Sequence, residues 1–192
     1  MTDPHRQHWT WPGAFELDSG ASIDSPVTAF ETWGELAADG ANAVLLTTGL
    51  TPTAHAARRD PADEPGWWEE MVGPGKALDT DRWFVVCSNV LGGCQGSTGP
   101  ASPHPDDGRP YGSRFPRLTI RDMVRAQMRL MGHLGIEQWA SVVGGSMGGM
   151  QVLEWAIIYP SRVRSIIPIA SCMHASAQQI AWWSTGRRVI SV

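Results

Sequence analysis

The chain has 192 residues, of which 42% are hydrophobic, and this composition fits a single folded domain and excludes global disorder. Its 15 basic and 19 acidic residues give a net charge of −4, and the basic residues form no cluster, so no nucleic-acid partner is expected. No signal peptide or apolar run of the roughly 20 residues that a membrane helix needs is visible. The three cysteines are irregularly spaced, which argues against a disulfide framework and predicts a cytoplasmic protein with reduced thiols.

Short apolar runs predict the strands of a sheet. Residues 26–36 have an extended, strand-forming pattern. Continuous apolar runs follow at 43–47, 83–90, 140–143 and 165–170, as expected for strands that are buried on both faces.

Two helical segments separate the later strands. Residues 119–134 place apolar side chains on one helical face and mostly charged ones on the other. Residues 147–159 form a second, apolar helix that ends at Pro160, because proline cannot continue the hydrogen-bond ladder. Alternating strands and helices predict an α/β fold with a mostly parallel sheet and helices on both faces.

Two long segments, 51–82 and 91–118, lack this periodicity and are rich in glycine, proline and aromatic residues. Loops this long in a compact domain are usually functional or disordered, and we expect ordered loops above a site. The pairs Trp67-Trp68 and Trp182-Trp183 either wall an acyl or pantetheine pocket or belong to ordinary packing, and the residues alone leave both open.

A candidate nucleophile lies between the third apolar run and the apolar helix, in the pattern G-x-S-x-G. The pattern comprises Gly144, Gly145, Ser146, Met147 and Gly148. In this strand-to-helix context it predicts a nucleophile elbow, a sharp turn that exposes the serine at the end of a strand. The glycines two residues before and after the serine keep the turn tight, and a branched side chain at Gly148 is expected to clash with the incoming strand. A purely structural or phosphate-binding turn is the alternative.

Backbone N–H groups near the serine would bind an oxyanion. The helix that starts after Ser146 directs its unpaired N–H groups and the positive end of its dipole at the site, and Met147 supplies the first donor. A second donor is expected after the run 43–47, near Leu50 and Thr51.

The chain offers no clear catalytic acid or base. Triads of this kind follow the order serine, acid, histidine. After Ser146 the only acidic residue is Glu154, inside the predicted helix, and the only histidine is His174, for which we expect a surface or cap position. The sequence therefore predicts the N-terminal portion of a longer enzyme, which is inactive as given.

Other reactive side chains give weaker signals. His55 follows the expected oxyanion loop. It either lines the active site or is a loop histidine that forms hydrogen bonds with nearby residues. Cys94 has no neighbouring His or Lys to activate it, and we expect it to be structural. No spacing typical of a metal site is present, so no metal is predicted.

Three long runs carry a family resemblance: GWWEEMVGPGKALDTDRWFVVCSNVLGGCQGSTGP, YGSRFPRLTIRDMVRAQMRLMGHLGI and VVGGSMGGMQVLEWAIIYPSRV. Through them the chain, from about Phe30 to Ile190, resembles the homoserine O-acetyltransferases of methionine biosynthesis, a branch of the α/β-hydrolase superfamily. Related transferases that acetylate deacetylcephalosporin or succinylate serine or homoserine share many of these motifs. The chain departs from the pattern at Pro52-Thr53, where many members have Gly-Asp.

The resemblance implies an α/β-hydrolase fold without its C-terminal part and most of its lid. Residues 1–192 would be the N-terminal part of one catalytic domain, with the cap region starting at about residue 172. By the same resemblance Ser146 is the nucleophile, and Leu50 and Met147 form the oxyanion hole. The family's catalytic Asp and His would lie outside this chain, and the arginine that binds the homoserine carboxylate has no evident match here.

The implied reaction transfers an acetyl group from acetyl-CoA to the hydroxyl of L-homoserine through an acyl-serine intermediate. No bound cofactor is implied, because acetyl-CoA is a co-substrate, and dimers are common in the resembling family. The alternatives are a homoserine or serine O-succinyltransferase, an esterase with the same elbow, and a fragment without catalysis.

Overall fold

A computed structural model describes residues 5–190. The strands are β1 (Gln7–Thr10), β2 (Ala14–Glu16), β3 (Ser22–Asp24), β4 (Val27–Trp33), β5 (Ala43–Thr47), β6 (Phe84–Ser88), β7 (Ser141–Gly145) and β8 (Ile166–Ile169). The α-helices are α1 (Ile120–His133), α2 (Met147–Ile158) and α3 (Ala177–Ile190), and short 3-10 turns lie at Gly112–Arg114 and Pro160–Arg162.

Six strands form one mixed sheet in the order β1-β4-β6-β5-β7-β8, and β2 and β3 form a separate hairpin. The strands β6, β5, β7 and β8 are parallel, whereas β4 is antiparallel to both β1 and β6. All five residues of β5 are buried, as its continuous apolar run predicts. The strands and helices predicted from the sequence are confirmed, with ends shifted by a few residues.

A capping box sets the start of α1. The hydroxyl of Thr119 accepts from the backbone N–H of Asp122, and the Asp122 carboxylate accepts from the N–H of Thr119. The same buried carboxylate accepts from the backbone N–H of Asp18 at 2.9 Å. One aspartate therefore satisfies the helix N-terminus and also fastens the N-terminal region to α1.

The two faces of the sheet are covered differently. On one face α1 and α2 pack with the strands in a cluster that includes Leu45, Leu130 and Trp155. On the other face the covering residues, among them Ala56 and Val72, come from the segment 51–82. Helices were predicted for both faces, but within residues 5–190 this segment covers its face with irregular backbone.

Three features of the fold lie outside the elements predicted from the sequence. The strands β1, β2 and β3 are three or four residues long, too short to show a clear alternation. In the hairpin only Phe15 and Ile23 are buried. The apolar residues of the helix α3 do not gather on one face, and several of them are exposed, with Trp182 70% and Val189 74% exposed. No helix within residues 5–190 has the length and apolar character needed to cross a membrane.

Candidate active site

Ser146 occupies a sharp turn between β7 and α2. Its backbone has φ 58° and ψ −122°, a region that non-glycine residues seldom adopt and that costs conformational energy. Two hydrogen bonds hold the turn: the Ser146 N–H donates to Ile169 O at 3.0 Å, and the Ser171 hydroxyl donates to Ser146 O at 2.9 Å. The side chain of Ser146 is exposed. The strand-to-helix elbow expected from the sequence is therefore present.

Two of the three elbow glycines are required by close packing. A Cβ atom on Gly144 would lie 2.8 Å from Thr47 O, and one on Gly148 would lie 3.0 Å from Thr47 C and closer still to Thr47 O. At Gly145 the nearest atom would be Ile169 O at 3.9 Å, an ordinary contact. The nearest obstruction at Gly148 is the backbone of the neighbouring strand β5, and Gly148 also lies close to the incoming strand β7, since a Cβ atom on Gly144 would lie 2.8 Å from Gly148 C.

Leu50 and Met147 follow the carboxyl ends of adjacent parallel strands. Thr47 of β5 is in register with Gly144 of β7, so the residues after both strands emerge at the same edge of the sheet. Within residues 5–190, neither the Leu50 N–H nor the Met147 N–H donates to a protein acceptor. Two unpaired backbone donors beside an exposed serine are what binding of an oxyanion requires.

Residues 5–190 place no catalytic base at Ser146. Glu154 lies within α2 and pairs with Arg121, whose Nε is 2.6 Å from its Oε1. His174 is exposed and lines a cavity of about 250 Å³ with Cys172 and Trp183. No histidine or carboxylate of the described segment hydrogen-bonds to the Ser146 hydroxyl, so no group within residues 5–190 is placed to take the proton of this serine.

His55 is a buried structural histidine. Its Nδ1 is 2.9 Å from Glu31 Oε2, and its Nε2 is 2.8 Å from Glu64 O. Both ring nitrogens face acceptors, an arrangement that suits the doubly protonated ring. Arg59 Nη1 also donates to Glu31 Oε2 at 3.0 Å, so this cluster fastens the segment 51–82 to β4. These bonds give His55 a structural role, and it also lines a cleft with Thr51 and Pro52.

The ionisation of His55 should make stability depend on pH. Burial acts to lower the pKa of His55, but the hydrogen bonds to Glu64 O and Glu31 and the charges of Glu31 and Asp63 outweigh it, so the pKa is raised. A raised pKa contributes stability that is complete below the unfolded value of about 6.5 and is lost as pH rises through the folded value. In urea unfolding at a series of pH values, the free energy by which the wild type is more stable than His55→Gln should therefore decrease as pH rises above about 6.5. A pH-independent advantage would contradict this role.

The two tryptophan pairs differ in their surroundings. Trp67 stacks on Trp68 with ring centroids 5.4 Å apart, and its Nε1–H donates to Thr53 O at 3.0 Å. Trp67 lines a cleft of about 430 Å³ together with Thr51 and Pro52, directly after Leu50, while Trp68 packs against the core. In the first pair, therefore, one tryptophan forms part of the cleft wall and the other belongs to the core packing. Of the second pair, Trp183 lines the cavity that contains His174.

Sequence reasoning did not assign the side chains that hold the elbow and the Leu50 segment. Gln127 and Gln151 are buried between α1, α2 and β5, and Asn89 follows β6. In the sequence, the two glutamines could have been recognised because each lies on an otherwise apolar face of a predicted helix. A buried amide needs hydrogen-bond partners, so such a residue points to backbone that must be fixed.

Comparisons with known proteins identify the family of this fold. Residues 42–188 match the family model described as the alpha/beta hydrolase fold. A homoserine O-acetyltransferase from Moorella thermoacetica is 52% identical over 184 residues, covering 95% of this chain and 49% of the relative. The chain thus spans about half the length of this curated relative.

Solved structures of a homoserine O-acetyltransferase and of an esterase are also similar to this chain. The crystal structure of a homoserine O-acetyltransferase from Bacillus anthracis is 31% identical with a TM-score of 0.83, covering 90% of this chain and 48% of that one. The crystal structure of an esterase is 35% identical with a TM-score of 0.85, covering 92% of this chain and 50% of that one. The resemblance to homoserine O-acetyltransferases is confirmed, and the chain belongs to the alpha/beta hydrolase fold family.

Proposed function

We propose that this chain supplies the nucleophile and oxyanion hole of an acyltransferase that moves an acetyl group from acetyl-CoA to the hydroxyl of L-homoserine. The observation that carries the proposal is the exposed Ser146 on a strained elbow, beside the unpaired N–H groups of Leu50 and Met147. The name of the Moorella thermoacetica relative supports the donor group and the acceptor.

In the first half-reaction the Ser146 Oγ attacks the thioester carbonyl of acetyl-CoA, and its proton passes to a general base. The carbonyl oxygen becomes an oxyanion that accepts hydrogen bonds from Leu50 and Met147. The C–S bond then breaks, the departing sulfur takes the proton back from the base, and coenzyme A leaves as the thiol, so Ser146 carries the acetyl group.

In the second half-reaction the homoserine hydroxyl gives its proton to the base and attacks the acetyl carbonyl of the acyl-serine. The same two N–H groups bind the second oxyanion, and the Ser146 hydroxyl is restored by protonation as O-acetylhomoserine leaves. We propose that the base and its carboxylate partner come from outside residues 5–190, with the cap region beginning near residue 172.

An esterase is the second candidate, because an esterase structure is as similar to this chain as a transferase structure is. The elbow serves both reactions equally. The outcome depends on whether the acyl-serine meets water or a positioned alcohol, which is a matter of water exclusion and orientation.

The two candidates are separated by the fate of the acetyl group. The assay uses a hybrid in which residues 1–192 are followed by the part of the Moorella thermoacetica relative that the chain does not match. We expect coenzyme A release that depends on homoserine, with O-acetylhomoserine as the main product by mass spectrometry. Equal release without homoserine, with acetate as the product, would favour the esterase.

The donor and acceptor are tested in the same hybrid. Replacing acetyl-CoA by succinyl-CoA, or homoserine by L-serine, should lower kcat/KM. Faster turnover of succinyl-CoA than of acetyl-CoA would identify a succinyltransferase. Faster turnover of L-serine than of homoserine would identify L-serine as the acceptor.

A further inference from the structure

A line of buried side-chain hydrogen bonds starts in α2, crosses to α1 and returns to α2. From there it reaches the backbone segment that carries Leu50. The Trp155 Nε1–H donates to Gln127 Oε1 at 2.7 Å, and the Gln127 Nε2–H donates to Gln151 Oε1 at 2.6 Å. The Gln151 Nε2–H then donates to Thr48 O at 2.9 Å and to Met147 O at 3.3 Å. One amide nitrogen therefore joins the backbone at Met147 to the segment that leads into Leu50.

The direction of this line is fixed by its ends. The indole N–H of Trp155 can only donate, so Gln127 must present its carbonyl oxygen to the indole and its nitrogen to Gln151. By the same reasoning Gln151 must present its nitrogen to the two backbone carbonyls, which can only accept. All three side chains are at most 3% exposed, so water does not compete, and neither amide can flip without losing bonds.

A second amide holds the other side of the Leu50 segment. Asn89 Nδ2 donates to Pro52 O at 3.1 Å. Asn89 is itself held by Ser97, whose hydroxyl donates to Asn89 O at 2.7 Å and whose N–H donates to Asn89 Oδ1 at 3.3 Å. Leu50, whose side chain is 73% exposed, thus lies between two anchored carbonyls, those of Thr48 and Pro52.

We infer that Gln151 is a positioning residue, which sets the direction of the Leu50 N–H relative to the Met147 N–H and so shapes the oxyanion hole. This inference rests on the proposed function. An oxyanion hole accelerates reaction only if its donors are already oriented before the charge develops. Backbone between two fixed carbonyls meets that requirement, although the loop itself is on the surface.

The first test replaces the Gln151 amide by an apolar chain of similar length. Gln151→Met in the hybrid should lower kcat about tenfold, a part of the about 10²–10³-fold loss seen when an oxyanion donor is removed outright. Acylation and deacylation should both slow, because both pass through an oxyanion, while KM for homoserine stays unchanged. Hydrogen exchange of the peptide that covers residues 48–53 should become faster.

The matched control is Gln138→Met. Gln138 Nε2 also donates to a backbone carbonyl, Ser161 O at 2.9 Å, but it lies away from the elbow. This variant should keep the wild-type kcat and the wild-type exchange of residues 48–53. A loss of kcat equal to that of Gln151→Met would overturn the inference, because a general loss of packing would then explain both.

A second variant gives a signature that a merely structural role would not produce. Gln151→Glu keeps the shape, but it can donate to Thr48 O only while the carboxyl is protonated, and burial raises such a pKa. Its kcat relative to wild type should therefore fall as pH rises. A constant ratio across pH, together with unchanged loop exchange in both Gln151 variants, would overturn the inference.

Failure of the proposed function has a different signature. If the wild-type hybrid itself formed no acetyl-serine, the acyltransferase proposal would fail. The exchange of residues 48–53 would then still decide whether Gln151 holds this segment.

Discussion

Ser146→Ala should abolish acetylation of the hybrid by acetyl-CoA. Ser146 lies on the elbow at the edge of the sheet where, within residues 5–190, Leu50 and Met147 leave their N–H groups unpaired. Removing the nucleophile of a serine hydrolase triad lowers kcat by about 10⁶-fold, and we expect a loss of that order. Mass spectrometry after incubation with acetyl-CoA should find the added acetyl mass on Ser146 in the wild type and no added mass in the variant.

Ser171→Ala is the matched control for this experiment. Ser171 lies beside the elbow, and its hydroxyl donates to Ser146 O at 2.9 Å. Its removal should weaken one support of the turn but leave acetylation at Ser146. An acetyl group found on Ser171 or on the exposed Cys94, with Ser146 unmodified, would refute the assignment of the nucleophile.

The central part of the fold could be predicted from the sequence because periodicity and burial coincide there. The strand β5 is a continuous apolar run whose five residues are all buried, and α1 begins at a Thr-x-x-Asp capping box. The elbow was predictable for a related reason, since Gly144 and Gly148 are required by contacts under about 3 Å with neighbouring backbone.

Other parts could not be predicted because their order comes from contacts between distant residues. The segment 51–82 has no regular periodicity, yet it covers one face of the sheet and is fastened by the bonds of His55 and Arg59 to Glu31. These partners are more than twenty residues apart in the chain. Similarly, Gln151 and Gln127 are found as a hydrogen-bonded pair only once α1 and α2 are packed together.

Gly148→Val should destabilise the protein and remove its activity. A Cβ atom at this position would lie 3.0 Å from Thr47 C and 3.2 Å from Thr48 O, and backbone in a central strand cannot move aside as a flexible side chain would. Overpacking a core typically costs about 1–3 kcal/mol, occasionally more, and we expect the upper end of that range or beyond. Thermal unfolding and coenzyme A release in the hybrid measure the two effects.

Gly145→Ala separates this explanation from a general intolerance of the elbow to substitution. The Gly145 backbone does not have a positive φ, and an added Cβ would meet no atom closer than Ile169 O at 3.9 Å. The alanine variant should therefore unfold close to the wild-type temperature and keep the acetylation of Ser146. The packing explanation predicts opposite results for two glycines only three positions apart. If Gly148→Val remained stable and active, or if Gly145→Ala were equally damaging, the close approach of α2 to β5 would not be what the elbow requires.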